Sequence, residues 1–229
     1  MSGDRSALVE RLSASTKVVA AKGSVNTTLG LRPFVTALQN RSAPLILDLG
    51  PAIGSNVTFL GEQLGCKLVV EDLLESLPVV PDPEAEGPDG SDSKDGEGDE
   101  RPEPIPRLVH PDESVDGVLC WDVLDYLSPT AGRALADELV RVLRPRGALL
   151  LSHGTESLSQ PGRVEYEIIN ETSLRYRLRS GVTKRPRRVL QSREVSRMFG
   201  SLAISDSFLL KSRMREVLFR RPAASAAGV

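Results

Sequence analysis

The stretch Leu-Ile-Leu-Asp-Leu-Gly-Pro-Ala-Ile-Gly-Ser-Asn, from Leu45 to Asn56, restricts this chain more than any other. Leu45-Ile46-Leu47 is an apolar run too short for a helix and right for a buried strand. Asp48 ends that strand. Gly50 and Gly54 follow, with small Ala52 between them, and from Asn56 the residues Val57, Leu60 and Leu64 fall at helical spacing. Strand, Gly-bearing turn, helix is the layout of a nucleotide-type pocket. Glycine admits φ > 0 and lets a ligand approach the backbone, because no Cβ is in the way. The first N–H groups of the helix have no partner within it and face whatever is bound there. The plainer alternative is a tight turn in some other α/β domain.

The spacing Asp48-x-Gly50-x-Ala52-x-Gly54 resembles motif I of the class I S-adenosylmethionine (SAM) dependent methyltransferases, usually Asp/Glu-x-Gly-x-Gly-x-Gly. Ala52 stands at the middle glycine and is the mildest replacement. The resemblance implies that Asp48, Gly50, Ala52 and Gly54 shape the methionyl part of a SAM pocket. An acid before the first Gly favours SAM over NAD. Asp48 would repel a pyrophosphate and attract the ammonium of a methionyl group. The implied fold is α/β: a Rossmann-like methyltransferase sheet with an antiparallel C-terminal hairpin.

At 229 residues the chain reads as a single methyltransferase-like domain with insertions. Cys66 and Cys120 lie far apart and lack metal-ligand spacing, so the expectation is free thiols in a reducing compartment and no metal. No signal peptide is read at the N-terminus and no apolar run approaches a membrane span. The expected location is cytoplasmic, with no membrane partner.

Residues 1–43 read as N-terminal helices around a loop. Ser6–Ala21 has helical spacing, Gly23–Gly30 reads as the loop, and Pro33–Asn40 as a short helix with Pro in its first turn. After the Gly-bearing turn and its helix, Gly65–Asp72 reads as a second strand ending in Glu71 and Asp72. An acid there accepts hydrogen bonds from ribose hydroxyls in related folds. The pattern Val-Val-Glu-Asp-Leu resembles the family's Val-Gly-Val-Asp-Leu, which selects Asp72, with Glu71 as the fallback. A helix-start acid favoured by the dipole is the other reading.

Pro78–Arg107 differs in kind. Ten acids face three bases between Val80 and Arg107, with almost no large apolar residue to bury. Such a segment cannot offset the roughly 1–2 kcal/mol per residue lost on fixing a backbone. It reads as a disordered acidic insertion (78–107), placed where the family carries its third strand and the acid that touches adenine. The third strand is therefore expected to be reduced or missing.

The resemblance resumes at His110–Leu127, which is similar to the family's Pro-Phe-Pro-Asp-Glu-Ser-Phe-Asp-x-Val and the strand and Leu-rich helix after it. Asp116 would open the fourth strand, with Val118–Trp121 filling it. Ligands in such sheets bind beyond the carboxyl ends of strands. The resemblance places Trp121 or Val123 near the adenine and Asp122 beside SAM or substrate. The alternatives are a core Trp and a helix-capping Asp. Thr130–Leu143 is an amphipathic helix, stopped at Arg144-Pro145-Arg146-Gly147, where Gly147 would supply a left-handed cap. Ala148–Ser152 is the fifth strand. His153 at its end is either a general base or a plain strand-end histidine.

Ser157–Pro161 reads as a linker, then Val164–Asn170 and Ser173–Arg179 as a hairpin turning at Glu171-Thr172. With the basic cluster Lys184–Arg188 it makes a lid-like region over 160–190. The cluster reads as a solvated basic turn, with nucleic acid an unsupported alternative. Ser192–Phe199 is a helix capped by Ser192. Leu202–Leu210 and Met214–Arg220 are the closing strand pair, and a mobile tail follows Pro222.

The activity this implies is direct, SN2-type methyl transfer from SAM to an unidentified acceptor. The alternative is a non-catalytic SAM-binding or regulatory protein on a degenerate frame. No catalytic residue is fixed; Asp122 and His153 are the candidates. Neither the acceptor nor the oligomeric state is written in the sequence.

Overall fold

The computed structural model describes residues 23–76, 106–156, 163–179 and 187–223. The expected helix over Ser6–Ala21, the acidic stretch up to residue 105, the linker Ser157–Pro161, Lys184-Arg185-Pro186 and most of the tail lie outside them. In chain order the elements are β1 (Ser24–Thr27), α1 (Leu31–Leu38), β2 (Leu45–Asp48), α2 (Gly54–Leu64), β3 (Lys67–Val70) and α3 (Leu73–Ser76). Then come β4 (Val115–Cys120), a 3-10 turn (Asp122–Tyr126), α4 (Pro129–Val142), β5 (Leu143–Gly154), β6 (Arg163–Asn170) and β7 (Ser173–Arg179). The last are α5 (Ser192–Met198), β8 (Ala203–Leu209) and β9 (Met214–Arg220).

The larger sheet has the order β3-β2-β4-β5-β9-β8. Its first four strands run parallel. Parallel strands joined by helical crossovers are covered on both faces, which is why β2 and β4 are apolar without strict alternation. β9 pairs antiparallel with β5, and β8 antiparallel with β9, so the sheet closes on the expected hairpin. At the other end β3 is an edge strand, and among the described residues none lies beyond it. The third strand of a full methyltransferase sheet is the one without a counterpart there.

Alternation along β5 divides the core. Leu149 and Leu151 pack with Leu135 and Leu139 of α4 and Val195 of α5. Ala148 and Leu150 pack with Phe34 and Leu38 of α1, Leu60 of α2 and Tyr166 of β6. A smaller antiparallel sheet, β1-β7-β6, belongs to this second face. Close helix–sheet approach is set at Gly117, where a Cβ would meet Leu38 Cδ1 at 2.6 Å. Ser128 starts α4: its Oγ accepts a hydrogen bond from Ala131 N at 3.1 Å, and Pro129 takes the first helical position. A cap of this kind contributes about 1 kcal/mol.

Several local expectations are corrected. The loop expected at Gly23–Gly30 contains β1, paired antiparallel with β7. What holds it is long-range: Glu216 of β9 accepts from Thr28 Oγ1 at 2.7 Å, Leu29 N at 2.8 Å and Gly30 N at 2.7 Å. One buried carboxylate thereby fixes the chain between β1 and α1. The left-handed residue after α4 is Arg146, φ 61°, and not Gly147. Gly147 is needed for space, since a Cβ there would sit 2.7 Å from the Arg144 carbonyl oxygen. Ser192 is the first helical residue of α5 and not its cap; that position is Gln191.

Candidate functional site

Asp48 leaves the end of β2 on the same face as Ile46, the face covered by α1, α2 and β6. It is buried, and its Oδ1 accepts from Gly50 N at 2.9 Å and from Trp121 Nε1 at 2.7 Å. Burial pushes its pKa up to about 6. The two hydrogen bonds pull the other way, Asp72 adds to the rise, and Arg163 opposes it. Gly50 lacks a Cβ for Trp121: an added one would meet Trp121 Cδ1 at 2.7 Å. Neither Gly50 nor Gly54 takes a positive φ. Gly54 and Ala52 are exposed, and a Cβ at Gly54 would meet nothing within 4 Å. The turn is therefore tight against Trp121 on one side and open at the start of α2, which no side chain caps.

Glu71 and Asp72 part company beyond β3. Glu71 turns to His110, with Oε1 2.8 Å from His110 Nε2. Asp72 forms an ion pair with Arg163, the first residue of β6, whose side chain is 2% exposed. The Arg163 charge is also felt at Asp48 and at Asp122. So Asp72, Asp48 and Asp122 stand at the carboxyl ends of β3, β2 and β4, with Arg163 paired to Asp72 and its charge reaching the other two. Nothing in the spacing of Arg163 foretold this.

Trp121 is buried, as a core Trp would be, and yet it is part of this site. Its ring lies parallel to that of Tyr166, centroids 5.1 Å apart and planes at 6°. Tyr176 of β7 meets Tyr166 edge-on at 5.0 Å. Asn56, in the first turn of α2, ties the same strand down. Its Nδ2 donates to the Tyr166 carbonyl at 2.9 Å, and its Oδ1 accepts from Ile168 N at 2.7 Å.

Asp122 opens the 3-10 turn without capping it. It lies 3.4 Å from Arg187, which also binds Asp125 at 2.7 Å. Asp125 Oδ2 in turn accepts from Gly154 N at 2.7 Å. Burial raises both carboxyl pKa values, and Arg187 holds them down. The Tyr166 hydroxyl faces Asp122 without completing a hydrogen bond. Arg187 is thus an interior cation with an 8% exposed side chain, which corrects, at this residue, the solvated basic turn expected at Lys184–Arg188. Arg188 likewise turns inward, to the Leu127 carbonyl at 3.0 Å and to Glu194 at 2.9 Å.

His153 shares the register of Leu149 and Leu151, on the face away from Trp121 and Tyr166. It is fully buried, and desolvation lowers its pKa, which keeps the ring neutral. The structure does not bring it to the other candidates. The residues missing from the sequence reading are Arg163, Tyr166, Asn56 and Arg187. Only Asn56, a polar residue on the turn side of an apolar helix, carried a local signal.

A family model described as a methyltransferase domain matches residues 89–151. This stretch is methyltransferase-like. It includes β4, Trp121, Asp122 and α4, and it stops short of Asp48 and Asp72, which complete the same face from earlier in the chain. The resemblance to class I SAM-dependent methyltransferases therefore rests on a matched segment and on a sheet order that ends in the antiparallel hairpin. No curated protein matches the chain. Among solved structures, the 1,6-didemethyltoxoflavin-N1-methyltransferase of Burkholderia thailandensis is 18% identical, with 95% of this chain and 87% of that one covered and a TM-score of 0.47. A SAM-dependent methyltransferase from Mesorhizobium loti is 17% identical, covering 84% of this chain and 96% of that one, with a TM-score of 0.47. On the methyltransferase-like frame, no helix among the described residues is long and apolar enough to cross a membrane.

Proposed function

We propose that the chain is a SAM-dependent methyltransferase acting on an acceptor not yet identified. The observation that carries this reading is the placing of three acids, Asp48, Asp72 and Asp122, at the carboxyl ends of the adjacent parallel strands β2, β3 and β4. SAM presents a sulfonium and an ammonium, and its ribose presents two hydroxyls. Acids at the strand ends suit all of these groups, and a pyrophosphate suits none of the carboxylates. The Burkholderia thailandensis structure holds S-adenosylhomocysteine, in keeping with this choice of cofactor.

When bound, SAM supplies a methyl group already activated by its sulfonium. The residues then have little bond-making of their own to do, and alignment with exclusion of water accounts for most of the rate. Asp48 Oδ1 is engaged by Gly50 and Trp121, so Oδ2 is the oxygen for the ammonium. Asp72 would hold the ribose, and Glu71 stays with His110. Trp121 would give a flat apolar wall for the adenine. Asp122, whose pKa is raised by burial, would take up a proton if the acceptor must lose one.

The test is isothermal titration of the full-length protein with SAM, followed by competition with NADH. The expected result is saturable binding of SAM that NADH does not displace. Absence of heat at high micromolar SAM, or displacement by NADH, would defeat the assignment.

A further inference from the structure

Two of the positions read as cofactor-binding, Asp72 and Trp121, are already met by one strand, which also ties down the start of α2. Arg163 pairs with Asp72, the ribose acid. Tyr166 lies flat on Trp121, the surface offered to the adenine. Ile168 N and the Tyr166 carbonyl hold Asn56 in the opening turn of α2. Arg163, Tyr166 and Ile168 all belong to β6, and their side chains are buried. A cation stands among the carboxylates, an aromatic ring covers the indole, and backbone groups engage the helix start. These are the kinds of contact a sulfonium nucleoside would make, in the same places.

We propose that β6 is a built-in occupant of the SAM site, seated in the cofactor's place and displaced when the cofactor binds. The inference rests on the SAM reading above. Its physical basis is the cost of the alternative. Without Arg163 the partly exposed Asp72 would lose its ion-pair partner and the buried Asp48 a countercharge, and a buried carboxylate left without one is costly. Arg163 neutralises them while the site is empty of SAM, and the ammonium and sulfonium do so afterwards. The exchange of one cation for another gives Asp72 and Asp48 a countercharge in both states. Because β6 is paired along its length with β7, the two strands move as one hairpin, and β1, paired with Ser173–Tyr176 of β7, either moves with it or is released from it. Apparent affinity is then reduced by the fraction of molecules in which the hairpin is closed.

Two variants and one measurement on the native protein test this. Arg163→Met removes the internal cation. Asn56→Ala leaves the ion pair intact and removes only the tie to Tyr166 and Ile168. Titration with SAM should show tighter binding in both, by about tenfold for Arg163→Met if the hairpin is closed nine-tenths of the time. In the native protein, hydrogen exchange at the β6 amides, Ile168 N among them, should speed up on adding SAM. Weaker SAM binding by Arg163→Met and Asn56→Ala, with slower β6 exchange, would make Arg163 a cofactor ligand and overturn the proposal. Unchanged affinity in both variants would also overturn it. If the native protein and both variants are folded by circular dichroism yet none binds SAM, the cofactor assignment itself is wrong and the occupant reading falls with it. Binding by the native protein with no tightening in either variant defeats the occupant reading alone.

Discussion

Asp48 is the residue at which stability and function oppose each other. Its pKa is raised from the ordinary 3.8 to about 6, chiefly by burial. Between those values the folded chain holds a proton that the unfolded chain has lost. Its contribution is therefore greatest below pH 4 and falls away as pH rises through 6, by an amount on the order of 2–3 kcal/mol. Ammonium binding needs the ionised form, so SAM affinity should move in the opposite direction. It should strengthen roughly tenfold from pH 5 to pH 7, a range in which an α-amino group stays protonated. Thermal melts across pH, run beside titrations with SAM, check both halves. In Asp48→Asn the Asp48 share of each trend should vanish. A variant that keeps the native pH profile in melting and in binding would remove Asp48 from the site. This acid was legible because it sits at a fixed place in a short pattern, strand then glycine. Arg163 and Arg187 were not, because their partners are distant in sequence and a guanidinium near a strand start or in a basic run looks solvated until the fold buries it.

Elements were legible where they carry their own periodicity. The alternation of Val164–Asn170 and Ser173–Arg179 placed β6 and β7 with their turn, and the apolar runs of β2, β4 and β5 needed no context. β1 was missed for a physical reason: four residues with alternating half-exposure bury too little to announce a strand. Its stability comes from pairing with β7 and from Glu216, whose carboxylate takes donors from Thr28, Leu29 and Gly30. The same contact sets the start of α1, and α1 supplies Phe34 and Leu38 to the core behind β4. Glu216→Gln should therefore loosen β1 and α1 together. Gln offers one uncharged acceptor oxygen for Leu29 N and Gly30 N, and its NH2 meets the Thr28 hydroxyl, which must reverse from donor to acceptor. The expected loss is about 2–4 kcal/mol in denaturant unfolding. Hydrogen exchange should rise at the β1 and α1 amides while α4, on the far face, keeps its protection. Equal loss of protection in α4 would show that Glu216 supports the whole fold and not this corner.

At the scale of the whole molecule, net charge is small, −2, but the strand ends hold more carboxylates than cations. Asp48, Asp72, Asp122 and Asp125 stand against Arg163 and Arg187 in a region that is largely buried. The raised pKa values of Asp48, Asp122 and Asp125 reflect that burial, and for Asp48 and Asp125 repulsion from a second acid adds to it. A ligand with a net positive charge relieves this, and a neutral one of the same shape does not. SAM carries one more positive charge than S-adenosylhomocysteine, at the sulfur. In a water-poor pocket that difference is felt strongly. The chain should bind SAM about tenfold more tightly than S-adenosylhomocysteine at neutral pH, an order-of-magnitude expectation from one charge interacting at an effective dielectric near 20. Salt should change this ratio little, because buried charges are screened far less than exposed ones. Titrations with both ligands at low and at half-molar salt provide the check. A preference for the neutral product would mean that the carboxylates are compensated from within, and that the sulfur sits away from the acids gathered around Arg163.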